Sequence, residues 1–180
     1  MRRLAPALLL LATAACSRGL QKSDAEAALR AKYPVTVPVK VPGRVSAAPG
    51  SPEAAKAQAF MDNLQKTGWF DITKEAGKTG HTVYTFAPKP GSPAAPSGTG
   101  WLVPAAQAVF VGSSHHTESG NTAKVIYQIK LANPTPQFAL FELLHPTVKI
   151  GDTKPRHAVF EKQGGKWVLT GTDESFSKAD

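Results

Sequence analysis

Thr122-Ala123-Lys124-Val125-Ile126-Tyr127-Gln128-Ile129-Lys130-Leu131 is the stretch that decides the fold. Ala123, Val125, Tyr127, Ile129 and Leu131 fall on one side of an extended chain, and Lys124, Gln128 and Lys130 on the other. A period of two with one apolar and one polar face marks a strand buried on one side and wet on the other, the pattern of antiparallel sheets. Ser119-Gly120-Asn121 just before it is a turn, and residues 107–112 form a strand ahead of that turn. Downstream, 156–163 and 166–170 flank Gly164-Gly165, a two-residue hairpin signal. Residues 137–144 are apolar on both faces except at Glu142, so they form either a central strand or a short buried helix. The chain from Glu174 onward is expected to fray.

The first half reads differently. Ser23-Asp24-Ala25-Glu26 has the spacing of a capping box, with Ser23 as N-cap, and Pro34 stops the helix it opens near Lys32 or Tyr33. Val35-Thr36-Val37-Pro38-Val39-Lys40-Val41-Pro42 alternates β-branched residues with prolines. Pro38 cannot donate to a ladder, which makes this an edge strand or an extended arm. Residues 43–51 read as a loop. Ser51 then caps a second helix with Pro52 in its first turn. Ala54, Ala57, Phe60, Met61 and Leu64 share one face of it, and Gly68 ends it. Strands follow over 69–74 and 81–87, joined by a turn at 77–80. Residues 88–100, rich in proline and glycine, read as a loop or linker. The expected fold class is α+β, with one or two N-terminal helices packed on a largely antiparallel β-sheet. The expected division is a helix-strand lobe over 23–87, the loop over 88–100 and an antiparallel β lobe over 101–180.

The chain opens with Arg2 and Arg3, an apolar run centred on Leu8-Leu9-Leu10-Leu11, and small residues. That is the layout of an export signal over residues 1–15, and it is too short for the ~20 apolar residues of a membrane-spanning helix. Thr13-Ala14-Ala15-Cys16 resembles the lipobox of bacterial lipoproteins. The resemblance implies cleavage before Cys16, a diacylglycerol on its thiol and a tether over 16–22. It also implies, through Ser17, the outer membrane facing the periplasm. The competing reading of the same residues is an ordinary signal cut at Ala12-Thr13-Ala14, which leaves a soluble secreted or periplasmic protein with a free thiol. Cys16 is the one cysteine of the 180 residues, so no internal disulfide forms and packing alone holds the domain.

The formal net charge is +8, and it is unevenly placed: thirteen Lys/Arg and six Asp/Glu in residues 1–90, eight and seven in 91–180. A basic segment beside a lipid anchor points to the membrane, an anionic envelope polymer or a partner protein as partners. Nucleic acid is argued against by the export signal and by the lack of aromatics interleaved with a basic cluster.

Candidate chemistry is thin. His115-His116 with Glu118 nearby is the pair closest to a metal site, but adjacent side chains on a strand face opposite ways, and no histidine pair has the spacing of a ligand motif. His81, His145 and His157 are scattered. Glu118, Glu142, Asp152 and Glu161 are the carboxylates available for acid-base pairing. Gly98-Thr99-Gly100 lacks the lysine of a phosphate loop. Trp69, Trp101 and Trp167 either line a groove or pack in the core. The expectation is therefore no catalytic, cofactor or metal residues and no cofactor, with Cys16 as the lipid attachment residue. The function expected is that of an exported, lipid-anchored envelope protein acting as a non-enzymatic binding or assembly module. An envelope hydrolase with a His/Glu site and a small-ligand carrier remain as alternatives; the carrier requires an apolar cavity.

Overall fold

A computed structural model describes residues 18–174 and Phe176. The leader, Thr13-Ala14-Ala15-Cys16 and the anchor position Cys16 lie outside the described residues. In chain order the elements are α1 (Lys22–Lys32), β1 (Val35–Pro42), β2 (Arg44–Ala47), α2 (Pro52–Thr67), β3 (Phe70–Ala76), β4 (Thr82–Pro88), β5 (Ala95–Ser97), β6 (Gly100–Ser119), β7 (Thr122–Ala132), α3 (Phe138–Leu144), β8 (Thr153–Gln163) and β9 (Lys166–Thr172). A six-stranded antiparallel sheet runs β1-β6-β7-β8-β9, with β5 also on β6, and a three-stranded sheet runs β2-β4-β3.

The expected α+β architecture of N-terminal helices on one sheet is overturned. The protein is mostly β, 49% strand and 23% helix, built on a curled antiparallel sheet with three helices. The excess strand lies where sequence periodicity is weakest. β2 occupies part of the expected loop at 43–51, and β5 part of the Pro/Gly-rich segment at 88–100. β6 is 20 residues long rather than the six of 107–112. Its first half, Gly100 to Ala108, carries Pro104 and three alanines, which hide the alternation that β7 displays. Residues 137–144 resolve as the short helix, with Phe138, Leu140 and Phe141 buried.

β6 is the spine of the molecule. Its first half pairs with β1 from Gly100 to Ala108, and its second half pairs with β7 up to Ser119. Register shifts on either side of Val111 and Ser114 insert bulges that bend it. Where β1 stops, α1 takes over the open edge. The Glu26 carboxylate accepts the backbone N–H of Ser113 at 3.1 Å and its hydroxyl at 3.0 Å, and Glu118 accepts the N–H of Leu20 at 2.6 Å. An exposed strand edge is an aggregation hazard, and α1 covers this one. Glu26 is thereby drawn away from the expected capping box: the N-cap is Gln21, and Ser23 lies inside the helix. β1 sits at the sheet edge with a register shift beside Pro38, which removes the one ladder donor that proline lacks.

The two sheets meet at a glycine corner. Gly43, between β1 and β2, donates its N–H to Thr99 O at 3.0 Å and accepts the N–H of Phe86 at 2.9 Å. One residue thus ties the large sheet to the small one. A Cβ at Gly100 would run into the carbonyl of Val41, and one at Gly43 would lie 2.6 Å from the carbonyl of Thr99. Only glycine permits so close a crossing. Trp101 Nε1 adds a second tie, to Phe86 O at 2.8 Å.

The core lies on the inner face of the large sheet. Val37, Val39 and Val41 of β1, the odd residues of β7 from Ala123 to Leu131, and Ala158 and Phe160 of β8 are all buried there. α2 enters with Ser51 Oγ accepting Ala54 N–H at 3.1 Å and leaves through Gly68 at φ 68°. It contributes Ala57, Phe60 and Leu64. Fully buried Gln137 fastens α3 to α2, its Nε2 donating to Thr67 Oγ1 at 2.8 Å. At the other side of the core, the Tyr33 hydroxyl meets that of Tyr127 at 2.9 Å, and Tyr127 donates to Asp173 O at 3.1 Å. Burial raises the pKa of both phenols, that of Tyr127 the more. The C-terminal segment is held rather than frayed at its start. Glu174 pairs with Lys32 at 2.9 Å, and Phe176 is buried with Lys154 Nζ 5.7 Å from its ring.

Two outcomes follow. Gly100→Ala should destabilise the fold by about 1–3 kcal/mol in urea titration, because backbone rather than a movable side chain is in the way; a change within error would contradict the corner. The Ser113 N–H and hydroxyl, with Lys22 and Arg30 adding, hold the Glu26 carboxyl below the usual carboxylate range. A carboxyl lowered in the folded state stabilises above its unfolded pKa and loses that contribution as pH falls through the folded one. The stability gap between the natural chain and Glu26→Gln should therefore be largest near neutrality and close on acidification, as read by thermal melts from pH 7 to pH 3.

Candidate functional site

The corner leaves a cleft. Where β1 hands over to β2, the corner faces α2, which packs on β2, β3 and β4, and the end of α3. The space between has a volume of about 450 Å³, within the range of small-molecule sites. Its interior is apolar: Val45 from β2, Ala57 and Phe60 from α2, and Leu144 from α3. Phe60 is fixed edge-on against Phe86, centroids 6.5 Å apart. Gly100 and Pro42 form the corner itself.

Charge is confined to the mouth. Lys40, Lys56 and Glu53 line the cleft, and all three are exposed. Lys56 Nζ stands 6.0 Å from the Phe60 ring centroid, at the outer limit of a cation–π contact. Two ammonium groups against one carboxylate, above an apolar floor, are suited to holding an apolar group that ends in an anion.

The residues singled out from sequence lie elsewhere. His115 and His116 are on the last turn of ladder in β6, with His116 Nε2 3.5 Å from Glu118 Oε1. Among the described residues no three His, Cys, Asp or Glu side chains converge as a metal site. His145 ends α3 and lies tilted against Phe141 with centroids 4.7 Å apart. His81 Nδ1 is 3.5 Å from Ser46 Oγ, and His157 is exposed on β8. Glu142 is on α3, not on a central strand, and pairs with Lys149 at 3.0 Å. Asp152 accepts the N–H of Lys149 at 2.7 Å, and Glu161 is exposed near the β8–β9 tip. These carboxylates are dispersed among separate local contacts. Trp101 is a tie between sheets, Trp69 packs against the core, and Trp167 donates to Arg18 O at 3.2 Å.

No protein-family model, curated protein or solved structure matches this chain. What the cleft can hold follows from its own residues. Sequence reasoning placed Ala57 and Phe60 on the core face of α2 and Lys40 in a general basic bias. It did not bring them together, since the cleft arises from a crossing of strands far apart in the chain. The signal that was present is the glycine at each side of the crossing, Gly43 and Gly100.

The cleft and the start of the described chain lie at opposite ends of β6. Gly100 opens the strand beside the cleft, while Arg18 is held by Trp167 and Leu20 by Glu118 at the far end. The intervening strand amounts to about 60 Å of bent chain at ~3.3 Å per residue. No helix among the described residues is long and apolar enough to cross a membrane. Filling the cleft tests its integrity: Val45→Trp should leave the melting cooperative while removing the space, visible as loss of binding of a small apolar dye. Retained dye binding would place the dye's site elsewhere.

Proposed function

We propose that this is an exported envelope protein, anchored by a lipid on Cys16, whose folded body is a non-enzymatic binding module. The observation that carries the binding reading is the 450 Å³ apolar cleft with Lys40 and Lys56 at its mouth. The ligand class that fits is a small amphipathic monoanion, an apolar chain ending in a carboxylate. Apolar burial supplies affinity at about 25 cal/mol per Å², and the lysines select the charged end. Glu53 beside them disfavours a dianionic or deeply seated head. The polar side chains that line the cleft, Lys40, Glu53, Lys56 and Thr99, are all exposed.

The anchoring reading rests on the leader and on Thr13-Ala14-Ala15-Cys16. A cleft at the far end of β6 from Arg18 accords with it, because such an anchor leaves the mouth open to the aqueous side. The two acyl chains of a diacylglycerol supply the two signals that stable anchoring takes.

Two measurements test these readings separately. Dodecanoate should bind by calorimetry and raise the melting temperature. Lys40→Glu/Lys56→Glu should weaken dodecanoate about tenfold and leave dodecanol binding unchanged; equal affinities for the natural and doubly substituted chains would overturn the cleft reading. Cys16→Ala should move the protein from the membrane fraction to the soluble fraction of its host. Unchanged partitioning, or an intact mass showing cleavage after Ala14 without acyl groups, would overturn the anchor.

A further inference from the structure

We infer, resting on the reading of the cleft as a ligand site, that Gln137 is a positioning residue for it: its hydrogen bond to Thr67 sets the gap between α2 and the end of α3, and so the width of ligand the cleft accepts. Gln137 is fully buried at the start of α3, outside the cleft lining, and its Nε2 donates to Thr67 Oγ1, at the end of α2, at 2.8 Å. Among the described residues this is the one hydrogen bond between the two helices. Phe60 of α2 and Leu144 of α3 meet at the other end, in the cleft. From Phe60 to Thr67, and from Gln137 to Leu144, the step is i to i+7. That is two turns on one helix face, about 10 Å in each case. The helices therefore run antiparallel, tied at one end and flanking the cleft at the other. Buried Leu64, Leu140 and Phe141 lie along the turns between.

Stability alone does not account for an amide here. The Gln137 Oε1 carbonyl is buried with no hydrogen-bond partner among the described residues, and an unmet buried acceptor penalises folding. What the amide supplies is direction. A hydrogen bond fixes distance and angle, whereas apolar contacts are non-directional and let helices slide. Thr67 is itself oriented, its Oγ1 donating to Leu64 O at 2.9 Å. On its other side the start of α3 is fixed to β6: Thr135 Oγ1 donates to Pro104 O at 2.7 Å and accepts the N–H of Gln137 at 3.2 Å. With the start of α3 so held, a tilt about it carries Leu144 toward or away from Phe60. The Gln137–Thr67 bond is the contact that resists this tilt.

The test compares, by calorimetry on the full chain, two carboxylates of equal carbon number: dodecanoate and the wider 6-cyclohexylhexanoate. Gln137→Met keeps the length of the side chain and removes the unmet carbonyl. It should leave the melting temperature unchanged or raised and shift the ratio of the two affinities about fivefold toward the wider ligand. Thr67→Val removes the same bond with Gln137 in place, and decides the matter alone if Gln137→Met does not fold. It should shift the ratio to the same extent, and the double variant no further than either single one. Thr170→Val, which removes a hydrogen bond on β9 outside both helices, should leave the ratio as it is. An unchanged ratio in Thr67→Val with dodecanoate still bound, shifts that add in the double variant, or an equal shift in Thr170→Val would each overturn the positioning role and leave the cleft as a ligand site. Binding of neither carboxylate by the natural chain would overturn both.

Discussion

The close crossing of Gly43 and Gly100 is the constraint on which the rest of the structure depends. One strand path must leave the large sheet and enter the small one within a single residue. Gly43 accomplishes this by giving its N–H to Thr99 and its carbonyl to Phe86. No side chain fits on the Gly100 side, where the Val41 carbonyl occupies the place of a Cβ. α2 packs on the small sheet, against β2, β3 and β4, and against α3. The cleft lies between α2, the end of α3 and the corner at Pro42 and Gly100.

β6 then gives the molecule two distinct ends. Its first half is a sheet strand beside β1, and its second half has its open edge closed by α1 through Glu26 and Ser113. One residue does two jobs there: Glu26 closes an edge, and its low pKa ties that closure to pH. At one end of the spine lies an apolar cleft with lysines at its mouth. At the other, two hairpin tips meet the incoming chain around Trp167.

What could be read from the sequence was local. The alternation of β7, the Ser51 cap and Gly68 stop of α2, and the Gly164-Gly165 hairpin each follow from residues within a few positions of one another. They stand in the fold as read. The errors came from contacts distant in sequence. Glu26 has the spacing of a capping box, yet Ser113, 87 residues away, offers it two donors. β6 was under-read because Pro104 and its alanines give no period, although β1 and β7 supply its ladders. The cleft was invisible for the same reason: Lys40, Val45, Phe60 and Leu144 share no local pattern. The leader and Cys16 were legible as a resemblance, and they lie outside the described residues.

The central claim is that the glycine corner, with α2 and the end of α3, builds a ligand site with an apolar interior and a cationic mouth. A backbone amide chemical-shift titration with dodecanoate tests it most directly. The account predicts saturable shifts concentrated at Val45, Ala57, Phe60, Gly100 and Leu144, with Arg18 and Trp167 unmoved. Shifts centred on the hairpin tips, or none at saturating dodecanoate, would contradict it.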